Sequence, residues 1–172
     1  MEHRLGRMSD INAIMQIVDQ AKKFLAESGV SQWQSGYPNE ENFAQDINEG
    51  ICHVFFEDER LVGVIAISFA GDELYSGIEN GSWLSGDAPY AVVHRSAVDE
   101  NCRGRGIAYE MLSFAENIAA EQGIKSVRID THQDNKPMRT LLKKRGYAPC
   151  GTIYMEHLRT ENNLRICYEK LI

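Results

Sequence analysis

The sequence lacks the long apolar segments of a membrane protein. No run approaches the roughly 20 apolar residues that span a bilayer. Residues 1–10 mix acidic and basic side chains without the apolar centre of a secretory signal. We therefore expect a cytoplasmic protein that does not associate with membranes.

Cationic side chains are in the minority. The chain has 18 Lys and Arg against 25 Asp and Glu, which gives a formal net charge of -7. An acidic balance disfavours attraction to nucleic acid phosphates and to anionic membranes. The sequence therefore predicts no nucleic acid partner, and a cationic or neutral small molecule suits this charge better.

Paired cysteines and clustered metal ligands are also missing from the sequence. Four widely spaced cysteines form no C-x-x-C pair: Cys52, Cys102, Cys150 and Cys167. The same spacing argument excludes His3, His53 and His157 as ligands. We expect buried or incidental thiols and no metal site.

Periodic apolar patterns do occur, along a chain whose 172 residues fit one domain, 1–172. They predict helices over residues 10–27, 39–47, 106–120 and 135–144, and strands over 52–56, 61–69, 91–98, 125–131, 147–155 and 164–171. The glycine-rich span 70–88 is predicted to be a long loop, with a short helix near residues 72–75 as an alternative within it. A hairpin followed by a β-α-β-α order predicts an α/β (α+β) fold with a mixed sheet flanked by helices.

The segment 98–108 joins a predicted strand to an amphipathic helix. Its Gly104 and Gly106 allow the backbone to approach a ligand closely. Free N–H groups and the positive end of the helix dipole attract phosphate oxygens, and Arg103 and Arg105 add cationic donors. These features predict a pyrophosphate-binding loop.

The spacing of this loop decides between known phosphate-binding patterns. A Walker loop reads G-x-x-x-x-G-K followed by Ser or Thr, and a dinucleotide fingerprint reads G-x-G-x-x-G. Residues 104–109 fit neither pattern. What remains is Arg-x-x-Gly-x-Ala, formed by Arg103, Gly106 and Ala108.

This remaining pattern resembles the acetyl-CoA motif of the GNAT superfamily of N-acetyltransferases. That motif is Gln or Arg, two residues, Gly, one residue, and then Gly or Ala. The family's second motif is an asparagine, a short helix and Gly-Phe or Gly-Tyr, matched by Asn135, Met138, Leu141 and Gly146-Tyr147. The resemblance implies a GNAT-like fold, with a mostly antiparallel six- or seven-stranded sheet, a central splayed strand pair and flanking helices.

The resemblance also implies acetyl-CoA as cosubstrate and a set of residues that bind it. The end of the strand at 96–98 would pair with the amide arm of pantetheine as an added strand, and the backbone of 103–108 would bind the diphosphate. Asn135 would form a hydrogen bond with the arm, and Met138 and Leu142 would pack against the arm. The implied set is Ser96, Ala97, Val98, Arg103, Gly104, Arg105, Gly106, Ile107, Ala108, Asn135, Met138 and Leu142.

In such enzymes the amine attacks the thioester directly in a ternary complex, which requires a base, an oxyanion donor and an acid. A backbone N–H near Val98 is the expected oxyanion donor. Asp130 stands five residues before the motif asparagine, where some members carry a glutamate, and His132 lies on the same strand face. His94 shares a face with Ser96 and Val98, and an imidazole accepts a proton near neutral pH. Asp130, His132 and His94 are therefore alternative catalytic bases, and a structural role stays open for each.

The usual acid is missing, because Leu142 stands where many relatives carry a tyrosine near the sulfur. Tyr109, Tyr147, Tyr154 or water would then donate the proton. The same feature suits an alternative function, a catalytically inactive acyl-CoA-binding or regulatory module. A further alternative is a nucleotide-binding regulator that uses the loop for another pyrophosphate.

The acceptor is expected to be a small-molecule or peptide amine, bound by the first third of the chain. Trp33 and Tyr37 would line its pocket by stacking or cation–π contact, or they simply anchor a loop on the core. Acidic groups would steer a cation there, or form a solvated face: Glu40, Glu41 and Asp46. The resemblance is also compatible with a homodimer through the last strands.

Overall fold

The computed structural model describes residues 1–155 and 159–172. Its helices are Ile11–Glu27 (α1), Glu40–Asn48 (α2), Ile107–Glu121 (α3) and Lys136–Lys144 (α4). Its strands are Glu2–Leu5 (β1), Cys52–Glu57 (β2), Arg60–Ser68 (β3), Ala91–Val98 (β4), Ser126–His132 (β5), Ala148–Tyr154 (β6) and Leu164–Leu171 (β7). Each predicted helix and strand is present close to its predicted bounds.

Strand β1 is an element that the sequence patterns did not predict. It pairs antiparallel with β2, from Glu2 opposite Phe56 to Leu5 opposite His53. Its side chains are exposed apart from the half-buried Arg4, so the strand has no alternation of apolar and polar residues. The strand is defined by its pairing with β2, which is distant in sequence, and not by a local pattern of residues.

The chain forms two compact units, with some residues of β4 and α3 in each. The first unit contains Met1–Ile67 and His94–Met111, and the second contains Ser68–Val93 and Leu112–Ile172. The assignment of residues 1–172 to one domain stays a prediction.

In the first unit the strand order is β1-β2-β3-β4. The β2–β3 turn has positive φ at both Asp58 (46°) and Glu59 (63°), the combination that suits the twist of a two-residue hairpin. Helix α1 buries five apolar side chains, and fully burying such a side chain stabilises by about 1.5–3 kcal/mol: Ile11, Ile14, Ile17, Val18 and Leu25. The core contains Ile11, Ile14, Ile17, Val18, Phe43, Cys52, Val54, Val64 and Ala97.

In the second unit the order is β4-β5-β7-β6, with β5–β7 and β6–β7 antiparallel. The span predicted to be a long loop contains a short 3-10 turn at Glu73–Gly77. Its Tyr75 is only 1% exposed and packs in a core with Val92, Ile153 and Cys167. The seven strands therefore form a mostly antiparallel mixed sheet, as predicted.

Strands β4 and β5 are the parallel pair, and their ladder is short. It joins Ala91 to Val127 and Val92 to Arg128. Strand β4 continues to Val98, but in the described part of the chain no further pair with β5 follows. The seven-stranded mixed sheet is confirmed, and the splay of its central strand pair stays a prediction.

Candidate functional site

The loop between β4 and α3 begins at a fixed residue, Asp99. Its N–H donates to the carbonyl of Val62 at 2.9 Å, and its carboxylate accepts from the Asn101 N–H at 2.9 Å and from Arg60 Nη2 at 2.8 Å. Burial alone would raise the pKa of Asp99, but these hydrogen bonds and the Arg60 cation outweigh it, so the pKa lies below its usual value. Asp99 therefore remains charged and anchors the start of the loop.

Two glycines in left-handed conformations lead into α3. Gly104 has φ 75° and Gly106 has φ 85°, and a Cβ at either position would meet nothing within 4 Å. The first residues of a helix have no acceptor within it, and the first helical bond here runs from Glu110 N–H to Gly106 O at 3.1 Å. Among residues 1–155 and 159–172 we find no acceptor for the N–H groups of Gly106, Ile107 and Ala108. Adjacent donors at the positive end of a helix dipole suit a diphosphate.

The two arginine side chains of the loop lie against other parts of the first unit. Arg103 donates to the carbonyl of Gln20 at 3.3 Å, and its guanidinium lies 4.3 Å from the ring centroid of Phe24. Arg105 is 55% exposed and pairs with Glu57 at 2.9 Å. Exposed pairs contribute little stability, so Arg105 can exchange this carboxylate for phosphate at small cost. Direct phosphate contact by either side chain stays a prediction.

The segment 96–98 lies at the end of β4, where Ala97 packs in the core of the first unit. Arg95, within the strand, has φ 47°. A left-handed residue interrupts the extended backbone, so strict alternation does not extend across it. The argument that placed His94 on one face with Ser96 therefore loses its geometric basis, and a role for His94 stays a prediction.

Asp130 and His132, the other two candidate bases, lie on β5 in the second unit. The hydroxyl of Tyr75 donates to Asp130 Oδ1 at 2.9 Å. Asp130 is half-buried, which leaves part of its surface accessible. Tyr75 is a contact that sequence reasoning missed, since it lies 55 positions away in a glycine-rich loop.

His132 is only 3% exposed. Its Nδ1 accepts from the Asp134 N–H at 3.2 Å, which assigns the ring proton to Nε2. Burial lowers the pKa of His132, and the nearby Arg165 cation lowers it further. A neutral, buried and hydrogen-bonded imidazole suits a structural role better than proton transfer with a substrate.

The second motif forms the start and the buried face of α4. Asn135 Oδ1 accepts from the Met138 N–H at 3.3 Å and so caps the helix. Met138 is half-buried, whereas Leu142 is completely buried. Met138 therefore has surface available for a ligand, and contact of a cofactor with Leu142 would require this packing to open.

The tyrosines considered as acids differ sharply in burial. Tyr147 is 4% exposed, and burial together with the Glu116 carboxylate raises its pKa well above the usual value. Tyr109, in the first turn of α3, is 41% exposed. Tyr154 is half-buried, and the Arg159 guanidinium lies 4.5 Å from the centroid of its ring. Of these three, Tyr109 is the most exposed to solvent.

Trp33 and Tyr37 both make contacts that hold their loop in the first unit. Trp33 packs against the core, and Arg95 Nη1 donates to the Tyr37 hydroxyl at 2.7 Å. Asp46 is 2% exposed and bound to Arg95, so it is not a solvated charge. The loop-anchoring interpretation thus has direct support, while an acceptor pocket at these residues stays a prediction.

The structure holds two negative findings for the residues that it describes. Residues 1–155 and 159–172 contain no group of three or more His, Cys, Asp or Glu placed to hold a metal ion. No helix in those same ranges is long and apolar enough to cross a membrane. All four cysteines are free and buried, and His157 lies outside the described residues.

Comparison with known proteins gives one consistent result. A family model described as the acetyltransferase (GNAT) family matches residues 16–147. A streptothricin acetyltransferase from Escherichia coli is 24% identical over 127 residues, which cover 74% of this chain but only 59% of that protein. This chain thus spans less than two thirds of that relative.

Solved structures agree with this result. An acetyltransferase of the GNAT family from Streptococcus agalactiae 2603 has a TM-score of 0.88 and 31% identity, covering 99% of this chain and 95% of that chain. The PaiA N-acetyltransferase from Thermoplasma acidophilum, solved in complex with coenzyme A, has a TM-score of 0.74 and 17% identity, covering 99% and 98%. The second likeness concerns the fold alone.

Proposed function

The chain belongs to the GNAT family of acetyltransferases, and from that premise we propose that it transfers the acetyl group of acetyl-CoA to a primary amine. The observation that carries the proposal is the start of α3. There, two left-handed glycines precede N–H groups that have no acceptor among residues 1–155 and 159–172. These donors bind the diphosphate of the cosubstrate.

In this proposal the main chain of β4 receives the rest of the cosubstrate. The ladder to β5 ends at Val92, so the segment 96–98 can pair with the amides of pantetheine in the manner of an added strand. A backbone N–H near Val98 stabilises the oxyanion that forms when the amine attacks the thioester carbonyl. The amine attacks directly in the ternary complex, so no residue of the enzyme becomes acylated. The C–S bond then breaks, and CoA leaves as a thiolate that takes its proton from Tyr109 or from water.

Asp130 is the base that we favour. Its carboxylate is half-buried and oriented by the Tyr75 hydroxyl, whereas the ring of His132 is buried and bonded at Nδ1. Asp130 acts on the ammonium through water, because its side chain is short. Asp130→Ala should lower kcat much more than His132→Ala, and wild-type turnover by both variants at every pH would disprove both assignments.

The class of acceptor is also a proposal, and the relatives of this chain suggest it. A streptothricin acetyltransferase is among them, and the acidic charge of this chain suits a cationic amine. We therefore propose a small-molecule amine as acceptor, and a reducing compartment such as the cytoplasm, given four free cysteines.

An amine-library screen with detection of the released thiol tests the proposed activity. Thiol release should depend on acetyl-CoA and on one class of amine, and should be slow with acetyl-CoA alone. Tight CoA binding without turnover on any amine would instead favour the inactive CoA-binding module, which the buried Leu142 in place of a tyrosine supports. Tighter binding of ATP or NAD than of CoA in a thermal-shift panel would disprove both functions.

A further inference from the structure

Arg95 has an unusual backbone conformation for a residue inside a strand. Its φ of 47° lies in the left-handed region, which residues with a side chain adopt at a cost. Such a conformation persists only where the surroundings hold it. The three residues that follow, 96–98, are those whose main chain receives acetyl-CoA in the proposed function.

A buried ion pair holds the Arg95 side chain. Its Nε donates to Asp46 Oδ2 at 2.6 Å and its Nη2 donates to Asp46 Oδ1 at 2.5 Å. The two side chains are only 15% and 3% exposed. A two-point bond between a planar guanidinium and a carboxylate fixes direction as well as distance, so Arg95 cannot rotate without breaking it.

A third residue completes this cluster, which we define as Tyr37, Asp46 and Arg95. Arg95 Nη1 donates to the Tyr37 hydroxyl at 2.7 Å, and the guanidinium lies 5.8 Å from the centroid of that ring. Asp46 itself is carried by α2, which is anchored by the completely buried Phe43. The cluster therefore ties the side chain of Arg95 to a rigid helix.

The chain beyond Arg95 is also fixed at its far end. The side chain of Ala97 packs in the core of the first unit, and the N–H of Asp99 donates to Val62 at 2.9 Å. The backbone direction between these anchors depends on the dihedral angles at Arg95. Relaxation of Arg95 to an extended conformation would rotate the peptide groups that follow it.

We propose that Arg95 is a positioning residue for the cosubstrate: its contacts with Asp46 and Tyr37 hold the left-handed turn in β4 and so aim the main-chain groups of 96–98 at the arm of acetyl-CoA. This inference rests on the proposed function. Arg95 itself touches neither the thioester nor the amine. Its effect passes through the backbone, and any residue that adopts the same φ without strain should replace it.

Two double variants separate the conformation from the ion pair. Asp46→Asn/Arg95→Gly and Asp46→Asn/Arg95→Ala lose the same contacts, and neither leaves an unpaired buried carboxylate. They differ by one methyl group at a left-handed position, which glycine adopts freely and alanine does not. We expect the Ala variant to bind CoA about tenfold more weakly than the Gly variant. Its KM for acetyl-CoA should rise by a similar factor while the KM for the amine stays unchanged.

The matched control removes another ion pair of the first unit, Arg4 with Asp10 at 2.7 Å, by Arg4→Ala/Asp10→Ala. It should leave CoA binding unchanged, and thermal unfolding of all variants reports whether they fold. Failure of the wild-type protein to bind CoA would disprove the proposed function. Wild-type binding with equal Kd values for the Gly and Ala variants would disprove this inference alone.

Should both double variants unfold below the assay temperature, Asp46→Asn alone provides the test. It keeps the volume and part of the hydrogen bonding but removes the charge that orients Arg95. We expect a Kd for CoA at least threefold higher in that variant, estimated from the loss of a charge-assisted bond. An unchanged Kd in a folded Asp46→Asn protein would overturn the proposal.

Discussion

Gly106→Ala should weaken CoA binding out of proportion to its effect on stability. Gly106 has φ 85° and open space where a Cβ would lie, so the substitution meets a conformational penalty and no clash. A left-handed conformation costs an L-residue roughly 1–2 kcal/mol, and the loss of chain entropy in the unfolded state offsets about 0.4–1 kcal/mol of this. The net loss is about 1 kcal/mol, or about 2–4 °C in Tm for a chain of this size.

The opposite end of the same helix offers a matched control. Gly123 has φ 74° and equally open space at its Cβ position, so Gly123→Ala should lower Tm by about the same 2–4 °C. Only Gly106→Ala turns the N–H groups of 106–108 away from a bound diphosphate. Calorimetric titration with CoA should therefore give a Kd about tenfold higher, or about 1.4 kcal/mol, for Gly106→Ala and an unchanged Kd for Gly123→Ala.

Pantetheine, which has no diphosphate, localises the effect further. It should bind Gly106→Ala and wild type with the same Kd, because the altered amides do not contact it. Equal CoA affinities for wild type and both glycine variants would refute the assignment of this loop to the diphosphate.

Three further variants test other parts of the account. Tyr75→Phe removes the hydroxyl that orients Asp130 at 2.9 Å, so kcat should fall while the KM for acetyl-CoA stays unchanged; an unchanged kcat would argue against Asp130 as base. Glu169→Gln removes the only negative charge bound to Arg128 among the ion pairs of the described residues, at 3.0 Å, although Arg128 keeps its bonds to Ser85 and Gly86. Urea unfolding should therefore show a loss of about 3 kcal/mol in the free energy of unfolding; a loss below about 1 kcal/mol would contradict this. Burial lowers the pKa of His53 from 6.5 to about 4. Between those two pH values the unfolded chain binds a proton at His53 that the folded chain does not bind. The free energy of unfolding therefore falls as the pH falls. His53→Gln should flatten that decline in thermal unfolding between pH 6.5 and about 4, and an identical decline in both proteins would count against it.

The parts of the fold that depend on local pattern could be predicted from the sequence. Helix α1 follows from its apolar spacing, and the loop before α3 follows from two glycines that precede an amphipathic helix. Strand β1 could not be predicted, because four mostly exposed residues become a strand only by pairing with β2. Local periodicity contains no information about that partner.

The same distinction between local patterns and distant contacts holds for the candidate site. Its cofactor loop is contiguous in sequence, so motif and spacing identify it. The contacts that decide the roles of individual side chains are distant: Arg95 lies 49 positions from Asp46, and Tyr75 lies 55 positions from Asp130. Alternation along β5 placed His132 on the face of Asp130, but it could not show that the imidazole is buried.

The central claim is that main-chain donors at the start of α3 bind the diphosphate of CoA, and amide NMR of the ¹⁵N-labelled protein tests it most directly. Titration with CoA should produce the largest shifts at the amides of Gly104, Gly106, Ile107 and Ala108, and titration with pantetheine should leave them in place. Saturable CoA binding that leaves these four amides unmoved would contradict the claim.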